Sequence, residues 1–380
     1  MGIIFTKEPV NRKRQVELDI AKAIAIIFMV WVHVNEYYQS ELYEGGMYHR
    51  VVEFLGSPPA APIFMMLLGI GIVYSRNSQP HTLAIRGAKL FMGGYILSFI
   101  RDWIPYLFLY HMNGNDKEYL VDGSYELWGV DILQFAGLTM LFFAVVKKLR
   151  VSNRGLFVIW SIFSALHMVL RGITFDSHLE NAFFGLFWGT DSYSWFPFLN
   201  WITFPLVGYV FGQYLICCVN KNLFYKRIFV IAGSVSIPLW IYSWVNDVQF
   251  GAFGDMWQDA YYHHDMIGSA VLIAFALGWL SVIYFITPYL PKSVVNVASR
   301  WSKNTNGIYS YSYILMGYGL LILGEEGFSP IVVVVLSIVI FIASDLCCIM
   351  KDKLKMKYKT KKEKIMQTEI ADYFNVEIES

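Results

Sequence analysis

Between Asp19 and Met350, stretches of about twenty mostly apolar residues recur ten times along the chain. No other feature constrains folding as tightly. A run of that length is what a helix needs to cross a bilayer, and in lipid every backbone N–H and C=O has to be satisfied within the protein. The runs lie near 19–38, 59–76, 87–108, 128–147, 155–173, 198–218, 228–246, 266–289, 307–324 and 329–350. Composition agrees: 56% of residues are hydrophobic and 16% charged, against about 45–50% and about 25% in soluble domains. A string of soluble domains is excluded. So is a nucleic-acid binder, because 30 basic residues are balanced by 29 acidic ones. The expected fold is all-α, a polytopic transmembrane helix bundle of about ten spans. The first run lacks a small-residue cleavage site and carries Lys22 and His33, so it reads as a retained span rather than a signal peptide.

Basic residues set the orientation, since they favour the cytoplasmic side. With the N-terminus inside, only Arg50, Arg101, Lys117 and Arg171 face outward, and the other 26 of 30 lie on inner segments. An even number of spans returns the C-terminus to the cytoplasm, where eight lysines follow Met350. Both termini are therefore expected to be cytoplasmic. Residues 1–350 form the membrane domain, and 351–380 a lysine-rich tail suited to anionic lipid headgroups. The four cysteines, Cys217, Cys218, Cys347 and Cys348, fall as two adjacent pairs near expected cytoplasmic helix ends. They read as free thiols without metal-ligand spacing.

An ionisable residue inside a span is costly and marks a functional site by default. The first span offers most. Lys22, Ile26, Met29, His33 and Glu36 share one helix face, and His33 stands about 16 Å further along the axis than Lys22. Glu36, three residues on, is placed to hold one ring nitrogen of His33 and leave the other as a base. A histidine satisfied by a neighbouring helix is the plainer alternative. Arg86 and Lys89 share a face at the inner start of the third span, as a phosphate-binding pair or as ordinary interfacial anchors. Asp131 and Gln134 lie in the fourth span, beside Trp128. His167 and Asp345 are expected to be structural. The outer loops gather Trp195, Trp257, Tyr261 and His263, aromatic faces that suit either the bilayer interface or a sugar. His263 and His264 with nearby aspartates have no spacing that demands a metal, and none is expected.

The segment Arg14–Lys22, followed by ten residues and His33, resembles the opening of integral-membrane acyltransferases of the acyltransferase-3 type, with Lys22 where that family usually carries arginine. Lysine keeps the charge but loses the bidentate fork. Two further segments, Trp128–Phe135 and Phe196–Gly212, are similar to the related heparan-α-glucosaminide N-acetyltransferase branch, whose key histidine would fall on His49 here. The segment Trp301–Tyr309 is similar to the penultimate span of bacterial acyltransferase-3 members.

The resemblance implies an acyl-CoA-dependent acyltransferase in the plasma membrane of a bacterium. It would move an acyl group, acetyl by default, to a hydroxyl or amine of a glycan, a small molecule or another envelope acceptor. The catalytic candidates are His33 as general base, Glu36 as its partner and His49 in reserve. Lys22, Arg86, Lys89, Asp131 and Gln134 are the expected acyl-CoA contacts, and Trp195, Trp257, Tyr261 and His263 the expected acceptor contacts. Expected partners are acyl-CoA, the acceptor and membrane lipids, with self-association into a homo-oligomer left open and no nucleic acid. The competing class is a proton-coupled transporter or exporter using Lys22, His33 and Asp131 as a relay, although no inverted repeat is visible.

Overall fold

The computed structural model describes residues 4–246, 259–324 and 327–378, with side chains of residues 259, 260 and 360–378 left aside. Sixteen α-helices follow one another among them. They are α1 (Val16–Tyr38), α2 (Met47–Gly56), α3 (Ala61–Tyr74), α4 (Pro80–Ser98), α5 (Ile104–Met112), α6 (Glu118–Trp128), α7 (Ile132–Lys148) and α8 (Asn153–Leu170). The rest are α9 (His178–Gly185), α10 (Phe198–Trp201), α11 (Thr203–Ile216), α12 (Lys221–Val245), α13 (Asp259–Tyr262), α14 (Met266–Ile286), α15 (Lys292–Leu323) and α16 (Pro330–Ile378). Extended pairing among the described residues is limited to three isolated bridges.

Among the described residues six helical stretches are long and apolar enough to cross a membrane: Met47–Tyr74, Pro80–Met112, Asn153–Leu170, Lys221–Val245, Met266–Tyr289 and Pro330–Lys359. The protein is a membrane protein of the all-α class. The four other expected spans are helical as well, at α1, α7, α10–α11 and α15. These helices are shorter or carry the buried polar groups described below. α16 continues without interruption past residue 350 to Ile378.

α1 is the central helix, packed on α15, α16, α2, α3 and α14. Its acidic first turn suits a helix N-terminus, and both carboxylates are paired. Glu17 binds Lys221 and accepts from the Tyr225 hydroxyl at 3.2 Å; Asp19 binds Arg14 and accepts from Ser302 Oγ at 2.8 Å. At the far end the Tyr38 hydroxyl donates to the Met316 carbonyl at 2.7 Å. α1 and α15 therefore run parallel, tied at both ends.

Two further pairs, α4 with α7 and α3 with α11, meet through glycines. Without a hydrophobic drive between helices in lipid, close backbone approach at small residues supplies the packing. A methyl group on Gly208 would overlap the Met66 carbonyl, and one on Gly69 the Pro205 carbonyl, whereas one on Gly71 would meet nothing within 4 Å. Gly208→Ala should therefore cost about 1–3 kcal/mol as overpacking, while Gly71→Ala stays near neutral. Thermal melts of the purified protein compare the two directly, and equal melting temperatures would disprove the contact.

Candidate functional site

A charged pair in an apolar helix begins the site. Pro105, at the start of α5, has no N–H for the carbonyl four residues back, that of Arg101. The helix widens there to a π turn over Phe99–Trp103, and Ile104 N–H reaches the Phe99 carbonyl. Gly317 lets α15 close on the Arg101 carbonyl, which a Cβ at that position would overlap. The widened turn buries the adjacent side chains of Arg101 and Asp102, each 3% exposed. Arg101 Nε donates to Asp102 Oδ2 at 2.6 Å and Nη1 to Asp131 Oδ2 at 2.8 Å.

Asp131 caps α7. Its Oδ1 accepts from Ile132 N–H at 2.6 Å and its Oδ2 from the Tyr309 hydroxyl at 2.6 Å. The loop before α10 straps this cap, with Val130 N–H donating to the Tyr193 carbonyl and Phe196 N–H to the Val130 carbonyl. A buried cation is thus held between two carboxylates, with one nitrogen donating to each. It needs that, because an uncompensated charge there would be severely penalised.

The cluster ends at His33. The guanidinium of Arg101 lies 4.2 Å from the centre of the Tyr313 ring, a cation–π contact. That ring also meets the His33 imidazole, centroid to centroid 4.8 Å, and the rings of Tyr309 and Tyr37. His33 Nδ1 and Glu36 Oε2 are 2.7 Å apart, the pairing expected from the sequence. A carboxylate only accepts, so Nδ1 carries the proton and Nε2 presents its lone pair. The His33 side chain is 18% exposed, enough for a small reactant to touch it. Glu126 on α6 faces the cluster, its carboxyl pushed up by burial and by Asp102.

The other expected residues divide. His49 on α2 is half-buried, and its Nδ1 accepts from Gln39 Nε2 at 3.1 Å, which puts its proton on Nε2, away from the role of base. Lys22 has no hydrogen bond or ion pair among the described residues. Arg86 and Lys89 are both exposed on α4, which packs on α7 rather than α1. The three cations expected to share one phosphate site are therefore not gathered. Asp131 is committed to Arg101 and Tyr309 instead of a ligand, and fully buried Gln134 is pressed against Gly94 in the α4–α7 seam. Half-buried Trp195 packs on Gly129, two residues before Asp131. Tyr261 donates to the Ser57 carbonyl at 2.8 Å, and Trp257 lies outside the described residues. Among the described residues no three His, Cys, Asp or Glu side chains are arranged to hold a metal. Sequence reasoning missed Arg101, Asp102, Tyr309 and Tyr313; its one available signal was a charged dipeptide inside an apolar run, followed by Pro105.

His263 and His264 sit in the connection before α14. The His263 carbonyl accepts from Arg171 Nη1 at 3.0 Å, and the His264 ring pairs through Nδ1 with the Tyr261 carbonyl at 2.9 Å. Burial is the main cause that pushes both imidazoles down to about 4; His264 and Arg171 push His263 further the same way, whereas the Tyr261 carbonyl and Asp265 partly offset the fall at His264. The unfolded chain, with histidine near 6.5, takes up protons before the folded one does. Stability is therefore lost as pH falls from about 6.5 towards 4. Melting temperature should drop across that window, and the drop should flatten in a His263→Gln/His264→Gln variant. Parallel profiles for the two proteins would show that these rings do not titrate with folding.

Fold and site together define a helical membrane protein in which a histidine–carboxylate pair stands on a buried ion-pair network. Residues 14–243 match the family model of the heparan-alpha-glucosaminide N-acetyltransferase catalytic domain, and the chain belongs to that family. The match spans α1 to α12 and bears out the second of the two resemblances drawn from the sequence; an acetyltransferase-type activity goes with it. No curated protein and no solved structure matches the chain.

Proposed function

We propose that this protein transfers an acyl group, acetyl by family resemblance, from cytoplasmic acyl-CoA to a hydroxyl or amine of a glycan or other envelope acceptor, with His33 as general base. The observation that carries the reading is the 2.7 Å pairing of His33 Nδ1 with Glu36, which leaves Nε2 free to accept a proton. In the reaction Nε2 takes the acceptor proton as its oxygen or nitrogen attacks the thioester carbonyl. The carbon–sulfur bond then breaks, and the departing CoA sulfur takes that proton back from the imidazolium. Glu36 favours the imidazolium while it lasts. Tyr313, backed by Arg101, fixes the plane of the ring, so the network beneath it positions the base.

In this reading the protein crosses the membrane ten times with both termini in the cytoplasm. Lys22, unpaired and about 16 Å along the α1 axis from His33, attracts the CoA phosphates, and the pantetheine arm bridges the two. Arg86 and Lys89 form a separate basic patch. Vesicles carrying the protein should transfer radiolabel from acetyl-CoA to amino or hydroxyl sugars. Proton-driven solute uptake in the same vesicles without any transfer would reject the enzyme in favour of a transporter.

A further inference from the structure

Acyl transfer passes through a tetrahedral intermediate whose oxygen carries negative charge, and donors fixed in advance at that oxygen are usually the largest single source of catalysis. The pair of His33 and Glu36 supplies no such donor. A carboxylate only accepts, and the free imidazole lone pair is reserved for the acceptor proton.

Most hydroxyl groups around the pair are committed elsewhere. Tyr309 donates to Asp131 at 2.6 Å, Tyr261 to the Ser57 carbonyl at 2.8 Å and Tyr38 to the Met316 carbonyl at 2.7 Å. The Tyr37 hydroxyl is turned to Asp102. Tyr313 differs. Its ring packs directly on the His33 imidazole at 4.8 Å, yet its hydroxyl makes no hydrogen bond among the described residues. The residue keeps 6% of its surface, and its hydroxyl is not one of the polar atoms sealed in without a partner. Part of the remaining surface therefore belongs to the oxygen, where a reactant can touch it.

The ring is also held from its other sides. The Arg101 guanidinium lies 4.2 Å from its centre, the Tyr309 ring meets it at 4.8 Å and the Tyr37 ring at 6.4 Å. A phenol held in this way needs no reordering when charge develops beside it, which is the condition for preorganised stabilisation. The guanidinium draws ring electrons toward itself and so polarises the O–H bond. The hydroxyl lies within electrostatic reach of Glu36, the carboxylate that holds His33.

Taking the acyl-transfer reading as its basis, we propose that the Tyr313 hydroxyl is the oxyanion donor of this site. As the acceptor oxygen or nitrogen attacks the thioester carbon, the carbonyl π pair moves onto its oxygen, which accepts a hydrogen bond from Tyr313. His33 Nε2 takes the acceptor proton. On collapse the oxygen pair re-forms the double bond, the carbon–sulfur bond breaks, and the CoA sulfur leaves with the proton of the imidazolium. Tyr313 keeps its own proton throughout, as neither acid nor base.

The test is Tyr313→Phe in the full-length protein, assayed in vesicles with radiolabelled acetyl-CoA and glucosamine. Phenylalanine keeps the ring against His33 and Arg101 and removes only the hydroxyl. Loss of one oxyanion donor costs about 10²–10³ in kcat, so kcat should fall by that much, with KM and acetyl-CoA binding little changed. A tyrosine that merely orients the imidazole predicts near-wild-type kcat, and that result overturns the proposal. Melting temperature should match wild type, since no hydrogen bond is lost; a steep fall would show the hydroxyl committed to the fold and overturn the proposal as well. Dithioacetyl-CoA, with sulfur in place of the carbonyl oxygen, reads the donor directly. Sulfur accepts weakly, so the preference for the oxygen substrate should shrink by roughly tenfold or more in Tyr313→Phe. An unchanged preference places the hydroxyl away from the carbonyl and overturns the assignment. Tyr262→Phe is the comparison. Its hydroxyl is also without a hydrogen bond among the described residues, but its ring packs on Phe196 and Trp201, so transfer should stay at the wild-type rate. Collapse of that variant beside an intact Tyr313→Phe would move the donor to Tyr262. Full activity of Tyr313→Phe beside an inactive His33→Ala removes the donor and leaves the base, whereas no transfer by the wild type removes both.

Discussion

Replacing His33 with alanine should lower turnover by about 10²–10⁴-fold, the usual cost of losing a general base, while leaving acyl-CoA binding and melting temperature close to normal. The side chain is partly exposed, and its partners are a tyrosine face and the 42%-exposed Glu36, so little packing is lost with it. Glu36→Gln should give a smaller loss, because an amide still holds the ring but no longer stabilises the imidazolium. His49→Ala is the comparison. Its Nδ1 accepts from Gln39, so it should retain most activity; if it collapses while His33→Ala keeps more than about a tenth, well short of a general-base loss, the base is His49.

Removing Arg101 should have the largest effect on stability. Arg101→Met leaves Asp102 and Asp131 buried without their cation, and stranding one side of a buried pair costs about 3–5 kcal/mol. That is a large share of the ~5–15 kcal/mol by which proteins are usually stable, so yield and melting temperature should both fall sharply. The triple variant Arg101→Met, Asp102→Asn, Asp131→Asn should recover much of the loss, since replacing a whole buried ionic cluster is far milder than breaking it. Tyr309→Phe removes one hydrogen bond to the Asp131 carboxylate and should cost about 1.5–3 kcal/mol. A single variant Arg101→Met as stable as wild type would mean that the cluster does not hold the helices together. Activity of the triple variant is equally informative: if the network positions His33 through Tyr313, kcat should stay low after stability has returned, with KM for acyl-CoA little changed.

The difference between these two predictions mirrors what was legible in the sequence. His33 and Glu36 are three residues apart on one helix, so the helical period alone brought them together, and the structure closes that contact at 2.7 Å. Arg101, Asp131 and Tyr309 are 30 and 178 residues apart, and no local rule joins them. Asp131 stands out in the sequence as a charge in an apolar run, which by itself suggests a ligand contact. The charge distribution alone assigns Arg101 to the outer side. Its actual place depends on the π turn before Pro105 and on Gly317, which lets a helix some two hundred residues later approach its backbone.

The placing of the three cations proposed for the phosphates follows the same logic. Lys22 and the pair Arg86 and Lys89 each sit near one end of an early helix, a reading that period and charge bias support. Whether the two helices touch is a packing matter, and α4 chose α7 because glycines at 87, 94 and 137 allow close approach there. The sequence by itself determined that this chain is a helical membrane protein, because apolar length and backbone hydrogen bonding permit little else in lipid. It also determined that α1 carries a histidine–carboxylate pair, because both groups lie within one helical turn. Only the tertiary structure decided what stands beneath that pair, because a buried cation is tolerable only where carboxylates compensate it, and the packing of the helices is what brings Asp131, with the Tyr309 hydroxyl that supports it, to Arg101.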